Sequence, residues 1–215
     1  MRLILARHGN TFRPGETPVW VGAREDLPLT DTGEAQSRQI GLALHEAGVV
    51  PARIICGPLQ RTSQGACLAA EACGFSAAIE TDARLKEIDY GRWGGRSDAD
   101  IAAEWGEKAI EDWRERSIVP KGAGWTPSPD IIAGNAHALC REIVETAAPA
   151  DTVLVISSNG ILRYFHALLA GPSARQEDAK VKTGHWGVAR HDGSAFTLHV
   201  WNVTPRAADV EGVPA

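Results

Sequence analysis

The chain has 215 residues, 44% of them hydrophobic and 23% charged, the makeup of an ordinary globular protein with enough length to bury a sizeable core. Lysine and arginine number 22 against 27 aspartate and glutamate, a net charge of -5. That balance leaves no basic surplus for a polyanion, so no nucleic-acid partner is expected. No apolar run approaches the ~18 residues of a membrane span, and the first one stops at Arg7, too short for a signal-peptide core. The expected location is therefore cytoplasmic, with no membrane partner.

Leu3–Ala6 reads as a short buried strand. Phe12–Leu29, with three prolines and two glycines, reads as a loop. Gly33–Ala47 follows Thr30 and Asp31 as candidate caps and stops at Gly48, which predicts a helix. Next come a strand at Arg53–Cys56, a helix at Thr62–Cys73, a strand at Ala78–Glu80 and a helix at Ser97–Arg116. Pro120–Pro129 has no periodicity and reads as a second loop. A helix at Asn135–Ala147, a β-branched strand at Thr152–Ser157 and a helix at Ile161–Leu169 follow. His185–His191 and Phe196–Val203 flank Asp192-Gly193 and predict an antiparallel hairpin. Apolar strands alternating with helices predict the α/β class: three layers, α/β/α, around a mostly parallel sheet, with the whole chain, 1–215, as one domain.

The strand ends carry the chemistry. Arg7-His8-Gly9-Asn10-Thr11 follows the first strand, Cys56-Gly57-Pro58-Leu59-Gln60-Arg61-Thr62-Ser63-Gln64 the second, Leu85-Lys86-Glu87 the third, and Ser157-Ser158-Asn159-Gly160 the fourth, with Arg163 on the next helix. Open α/β sheets bind ligands at the carboxyl ends of their strands, where arginine forks suit phosphate oxygens. Cys56 and Arg61 are separated by four residues, one fewer than a cysteine-phosphatase loop requires. The cysteines, lacking a Cys-x-x-Cys pair, read as small core residues.

Arg7-His8-Gly9, Leu27-Pro28-Leu29-Thr30 before Gly33, Leu59-Gln60-Arg61-Thr62-Ser63-Gln64, Leu85-Lys86-Glu87, Gly91 and Trp93-Gly94-Gly95 together resemble the histidine phosphatase superfamily, which includes the phosphoglycerate mutases, over residues 1–203. The resemblance implies catalysis by His8, as the nucleophile that becomes phosphohistidine, and by Glu87, as general acid and base. It implies Arg7, Asn10, Thr11, Arg61, Tyr90, Ser158, Asn159 and His185 as substrate-binding residues. No cofactor and no metal is expected; the expected partner is a small phosphorylated substrate, and a homodimer is a candidate assembly.

Two departures stand out. Ser158 occupies the place of the family's second histidine, and a serine hydroxyl carries no positive charge. Gly124-Trp125-Thr126-Pro127 replaces a Gly-Glu-Ser turn. His185 is put forward as a substitute cation, against a packing role beside Trp186. Arg114 and Arg116 stand as candidate partners of a substrate carboxylate, and Trp20, Trp93 and Trp125 either border the pocket or pack in the core. Three functions are open: a phosphomonoester hydrolase, a phosphoglycerate mutase, and a non-catalytic phosphate-binding protein on the same fold.

Overall fold

A computed structural model describes residues 1–171 and 175–213. Six strands, β1 (Arg2–Arg7), β2 (Arg53–Cys56), β3 (Glu80–Thr81), β4 (Thr152–Ser157), β5 (Trp186–His191) and β6 (Phe196–Val203), form one sheet in the order β3-β2-β4-β1-β5-β6. The first four run parallel; β5 is antiparallel to β1, and β6 to β5. This is the expected α/β architecture with its C-terminal hairpin.

Residues of opposite parity along each strand face opposite layers. Leu3, Leu5, Val153 and Val155 join one core cluster, while Ile4, Ala6, Leu154 and Ile156 join the other. The second cluster is closed by α1 (Asp31–Glu46) and α2 (Gln60–Cys73), the first by α5 (Pro129–Thr146) and α6 (Asn159–Leu169). A fully buried side chain of this size contributes about 1.5–3 kcal/mol, so continuous apolar strands are what a sheet covered on both faces demands.

Thr30 caps α1, its side chain accepting from the Gly33 amide, as the sequence predicts. Several boundaries differ. The single helix expected over Ser97–Arg116 is two, α3 (Asp98–Trp105) and α4 (Glu107–Arg116), because Gly106 takes φ +80° between them. Helix α5 begins six residues before Asn135, since Ser128 caps it and Pro129 sits in its first turn, where its missing N–H costs nothing. The expected strand at Ala78–Glu80 is reduced to the two residues of β3. A short helix not expected from the sequence, α7 (Ala207–Glu211), packs Val210 into the core beside α1, and the Arg2 guanidinium holds the Val213 carbonyl.

Among the described residues, no helix is long and apolar enough to cross a membrane.

Candidate active site

The parallel pairing of β1 with β4 sets Arg7 opposite Ser157, and β2 ends beside β4 at Cys56 opposite Ile156. The segments after these strands therefore leave from one edge of the sheet. Strand β5, antiparallel, begins at the same edge, and the Arg7 amide donates to the His185 carbonyl at 2.9 Å.

His8 is buried directly past β1. Its amide donates to the Ser157 carbonyl at 3.1 Å, and its ring Nδ1 lies 2.7 Å from the Gly9 carbonyl. A carbonyl only accepts, so Nδ1 carries the hydrogen and Nε2 keeps its lone pair. Burial, reinforced by the positive charges of Arg7 and Arg61, holds the imidazole well below its ordinary pKa. The turn is possible because residue 9 has no side chain: a Cβ there would stand 2.0 Å from the Gly33 carbonyl oxygen on α1.

Arg7 donates to the Val181 carbonyl at 2.8 Å and keeps its Nε buried without a partner. Arg61, in the first turn of α2, donates to the Gly22 and Glu25 carbonyls at 2.7 and 3.1 Å. The loop over Phe12–Leu29 thus holds the second arginine from above with neutral carbonyls, which orient the guanidinium and leave its charge uncancelled. Burial lowers the pKa of both arginines, and the Glu87 carboxylate partly offsets this.

Glu87 is buried against the start of α6. Its carboxylate accepts from the Ile88 amide at 2.9 Å and the Gly160 amide at 3.2 Å. Tyr90 stands beside it. Burial, and then the Glu87 charge, push the phenol well above its ordinary pKa, so it remains a hydrogen donor.

Arg7, His8, Asn10, Thr11, Arg61, Glu87, Tyr90 and Asn159 line one cavity of about 890 Å³. Eight of the ten residues singled out from the sequence therefore meet. Ser158 and His185 are not in its lining. Ser158 is 1% exposed, at the N-cap of α6, with its hydroxyl unpartnered. His185 is turned away, its Nδ1 3.2 Å from the Thr183 carbonyl and its Nε2 3.4 Å from the Thr204 hydroxyl. The expectation of His185 as a substrate-binding residue is corrected accordingly, and of its two candidate roles the cavity cation is the one the geometry does not support: the strand start is at the expected edge, but the ring lies toward Thr204, just past β6, and Thr183 lines the cavity instead.

Arg114 lines the cavity but is paired with Asp98 at 2.6 Å; Arg116 pairs with Asp112 one turn away on α4. Of the three loop tryptophans only Trp20 borders the cavity. Trp93 and Trp125 are buried behind it: Trp93 stands edge-on to Trp20 at 4.9 Å, and Trp125 stands edge-on to Tyr90 at 4.7 Å and tilted against Trp20 at 5.9 Å between centroids. Lys180, Thr183 and Trp113 also line the cavity, and no motif marked them. Cys56 is buried with its thiol pKa raised by desolvation, the opposite of what a thiolate nucleophile needs.

Buried cations around an imidazole held in one tautomer, with a carboxylate alongside, are an arrangement suited to binding and transferring a phosphoryl group. The chain is 27% identical to a probable phosphoglycerate mutase of Erwinia tasmaniensis over 98% of its own length and 94% of that protein. It is 30% identical to a 2,3-bisphosphoglycerate-dependent phosphoglycerate mutase of a Methylobacterium strain over 79% and 80%. A mycobacterial glucosyl-3-phosphoglycerate phosphatase superposes with a TM-score of 0.79 at 25% identity, covering 94% of this chain and 98% of that one. The family model for the histidine phosphatase superfamily (branch 1) matches residues 3–204, and to that superfamily the chain belongs.

Proposed function

We propose that the site hydrolyses a small phosphomonoester through a phosphohistidine on Nε2 of His8. In the first step Nε2 attacks phosphorus in line, the bond to the ester oxygen breaks, and Glu87, entering the step protonated, gives that oxygen its proton and is left as the carboxylate. In the second, Glu87 takes a proton from water as its oxygen attacks phosphorus, releasing inorganic phosphate and restoring His8. Arg7 and Arg61 hold the non-bridging oxygens throughout, where charge redistributes and fixed donors contribute most. The observation that carries the reading is the state of His8: a group kept neutral by burial and by two arginines, with its free lone pair fixed by the Gly9 carbonyl, suits a nucleophile. A protein that only bound phosphate would gain more from a charged imidazole there.

Brief exposure to a reactive phosphomonoester should leave protein-bound phosphate that is acid-labile and alkali-stable, as a phosphoramidate is, and His8→Ala should abolish it. Equal labelling of the wild type and His8→Ala would exclude His8 as the nucleophile. Arg61-dependent phosphate binding without turnover of any phosphomonoester would favour the non-catalytic reading.

A further inference from the structure

The proposed chemistry occupies one end of the cavity, and the wall beside it has a character of its own. At about 890 Å³ the cavity has the size of a pocket for a whole small molecule rather than for a phosphoryl group alone. Next to Glu87 its lining is aromatic, formed by Tyr90, Trp20 and Trp113. Trp125 backs all three, at 4.7, 5.9 and 4.8 Å between centroids. It lies in the Gly124-Trp125-Thr126-Pro127 turn, so this departure from the family's Gly-Glu-Ser turn completes an aromatic cluster where relatives carry polar side chains.

Trp20 is the member with surface to offer. It is half-buried, whereas Tyr90 and Trp113 are 7% and 2% exposed, and the Trp113 ring already carries the Arg163 guanidinium. The Trp20 ring stands edge-on to Tyr90 at 5.1 Å and to Trp93 at 4.9 Å, and its Nε1 donates to Asp98 at 2.9 Å. Its amide donates to the Arg96 carbonyl and its carbonyl accepts from the Gly95 amide. A ring held this firmly loses little rotamer freedom when a ligand packs on it. With its one N–H engaged by Asp98, it presents a π face and no hydrogen bond. Phe12, Val19 and Val21, half-buried on the same loop, extend the apolar lining. Polar groups elsewhere in the lining are already engaged: Asn159 Oδ1 accepts from the Val181 amide at 2.8 Å, and the Thr183 hydroxyl donates to Asn10 Oδ1 at 2.5 Å. Hydroxyls of a polyol laid against Trp20 would give up water and gain no partner.

The wall also starts where the ester oxygen leaves. The Tyr90 hydroxyl and the Glu87 carboxylate converge on the same point, 2.9 and 2.3 Å from where a Cβ on Gly160 would stand. Trp20 is two residues from Gly22, whose carbonyl holds Arg61 at 2.7 Å. A group attached to that oxygen therefore passes Tyr90 and meets the Trp20 ring.

Resting on the phosphoryl-transfer reading above, we propose that the alcohol part of the substrate is flat and apolar and packs against the Trp20 ring. The substrate class is then a phosphomonoester of an aryl or arylmethyl alcohol, not a polyol phosphate.

Calorimetric binding of methylphosphonate, cyclohexylmethylphosphonate and benzylphosphonate to the full chain tests this with no chemistry required. The wild type should bind benzylphosphonate about 10-fold more tightly than methylphosphonate, and about 3-fold more tightly than the cyclohexyl compound, which is apolar but not flat. This comparison needs no variant to fold. Trp20→Ala should cut the benzyl advantage over methylphosphonate to within about 2-fold, and Trp20→Phe should keep most of it. In turnover, benzyl phosphate should exceed glycerol 1-phosphate about 10-fold in kcat/KM, both being esters of primary alcohols. No benzyl advantage, equal binding of the benzyl and cyclohexyl compounds, an advantage that survives Trp20→Ala, or a preference for glycerol 1-phosphate would each overturn the proposal and leave the hydrolase reading standing. A Trp20-dependent advantage without hydrolysis or labelling of His8 would uphold the aromatic wall and overturn the hydrolase reading alone. No binding of any phosphonate would overturn both.

Discussion

Ser157 and Ser158, adjacent in the chain, contribute quite different things. The Ser157 hydroxyl donates to the Leu85 carbonyl at 2.9 Å in the interior, tying β4 to the segment that carries Glu87. The Ser158 hydroxyl, equally buried, bonds to nothing although it stands at a helix N-cap, where serine ordinarily accepts from the first turn. Ser157→Ala should therefore cost about 1–3 kcal/mol, the range for leaving a buried partner unsatisfied. Ser158→Ala should be neutral or stabilising by about 1 kcal/mol, since no bond is lost and a buried unpaired hydroxyl is removed. Urea unfolding of the two variants reads the difference, and a large loss in Ser158→Ala would mean that its hydroxyl is bonded after all. The resemblance marks position 158 as a departure from the family's turn, but the direction of its hydroxyl depends on the surrounding packing and is not legible in the sequence.

At the level of elements, the start of α6 is where the site is most tightly fitted. A Cβ on Gly160 would fall 2.3 Å from Glu87 Oε1 and 2.9 Å from the Tyr90 hydroxyl. Gly160→Ala must push the carboxylate off the Gly160 amide, so activity should drop roughly 10²-fold, as when a general acid is misplaced. Phosphate binding through Arg7 and Arg61 should weaken much less, and measuring kcat beside the phosphate Kd distinguishes this from general damage. The motifs made His8, Glu87 and both arginines legible as cavity residues, because each lies within a few residues of a strand end and the α/β pattern aligns those ends. Lys180 and Thr183 belong to no motif, and reach the cavity only because β5 runs antiparallel and begins at the catalytic edge. For a related reason the sequence leaves His185 between two roles: the strand's position can be read from the pattern, but the direction of the side chain just before it depends on contacts across the hairpin, here with Thr204. The break at Gly106 was also visible as a residue, yet glycine interrupts a helix only where tertiary packing calls for the turn.

Across the whole molecule, two buried histidines shape the response to acid. His8 and His166 both have lowered pKa values, burial being the first cause in each; His166 lies against the Trp201 ring at 5.0 Å. A histidine whose folded pKa is depressed binds fewer protons folded than unfolded, so stability is full above about pH 6.5 and falls as the pH drops through that unfolded value toward the folded one. The urea midpoint should therefore decline between pH 7 and 5.5, above the range in which carboxylates titrate. His8→Asn should flatten the decline, and an unchanged slope would show that His8 is already free to take a proton in the fold. Activity should follow the opposite logic over the same interval, since a depressed His8 stays nucleophilic where an ordinary histidine would be charged.

The backbone of Val181 is gripped on both sides of its Cα, its amide by Asn159 and its carbonyl by Arg7. That grip ties the head of α6 to the segment leading into β5. Asn159→Gly would release the backbone next to Lys180 and slacken the hold on the Arg7 guanidinium, whereas a change at position 158 alone leaves the clasp in place. Two neighbouring positions are therefore mechanically independent: one can change without disturbing the clasp, and the other carries the distant segment with it.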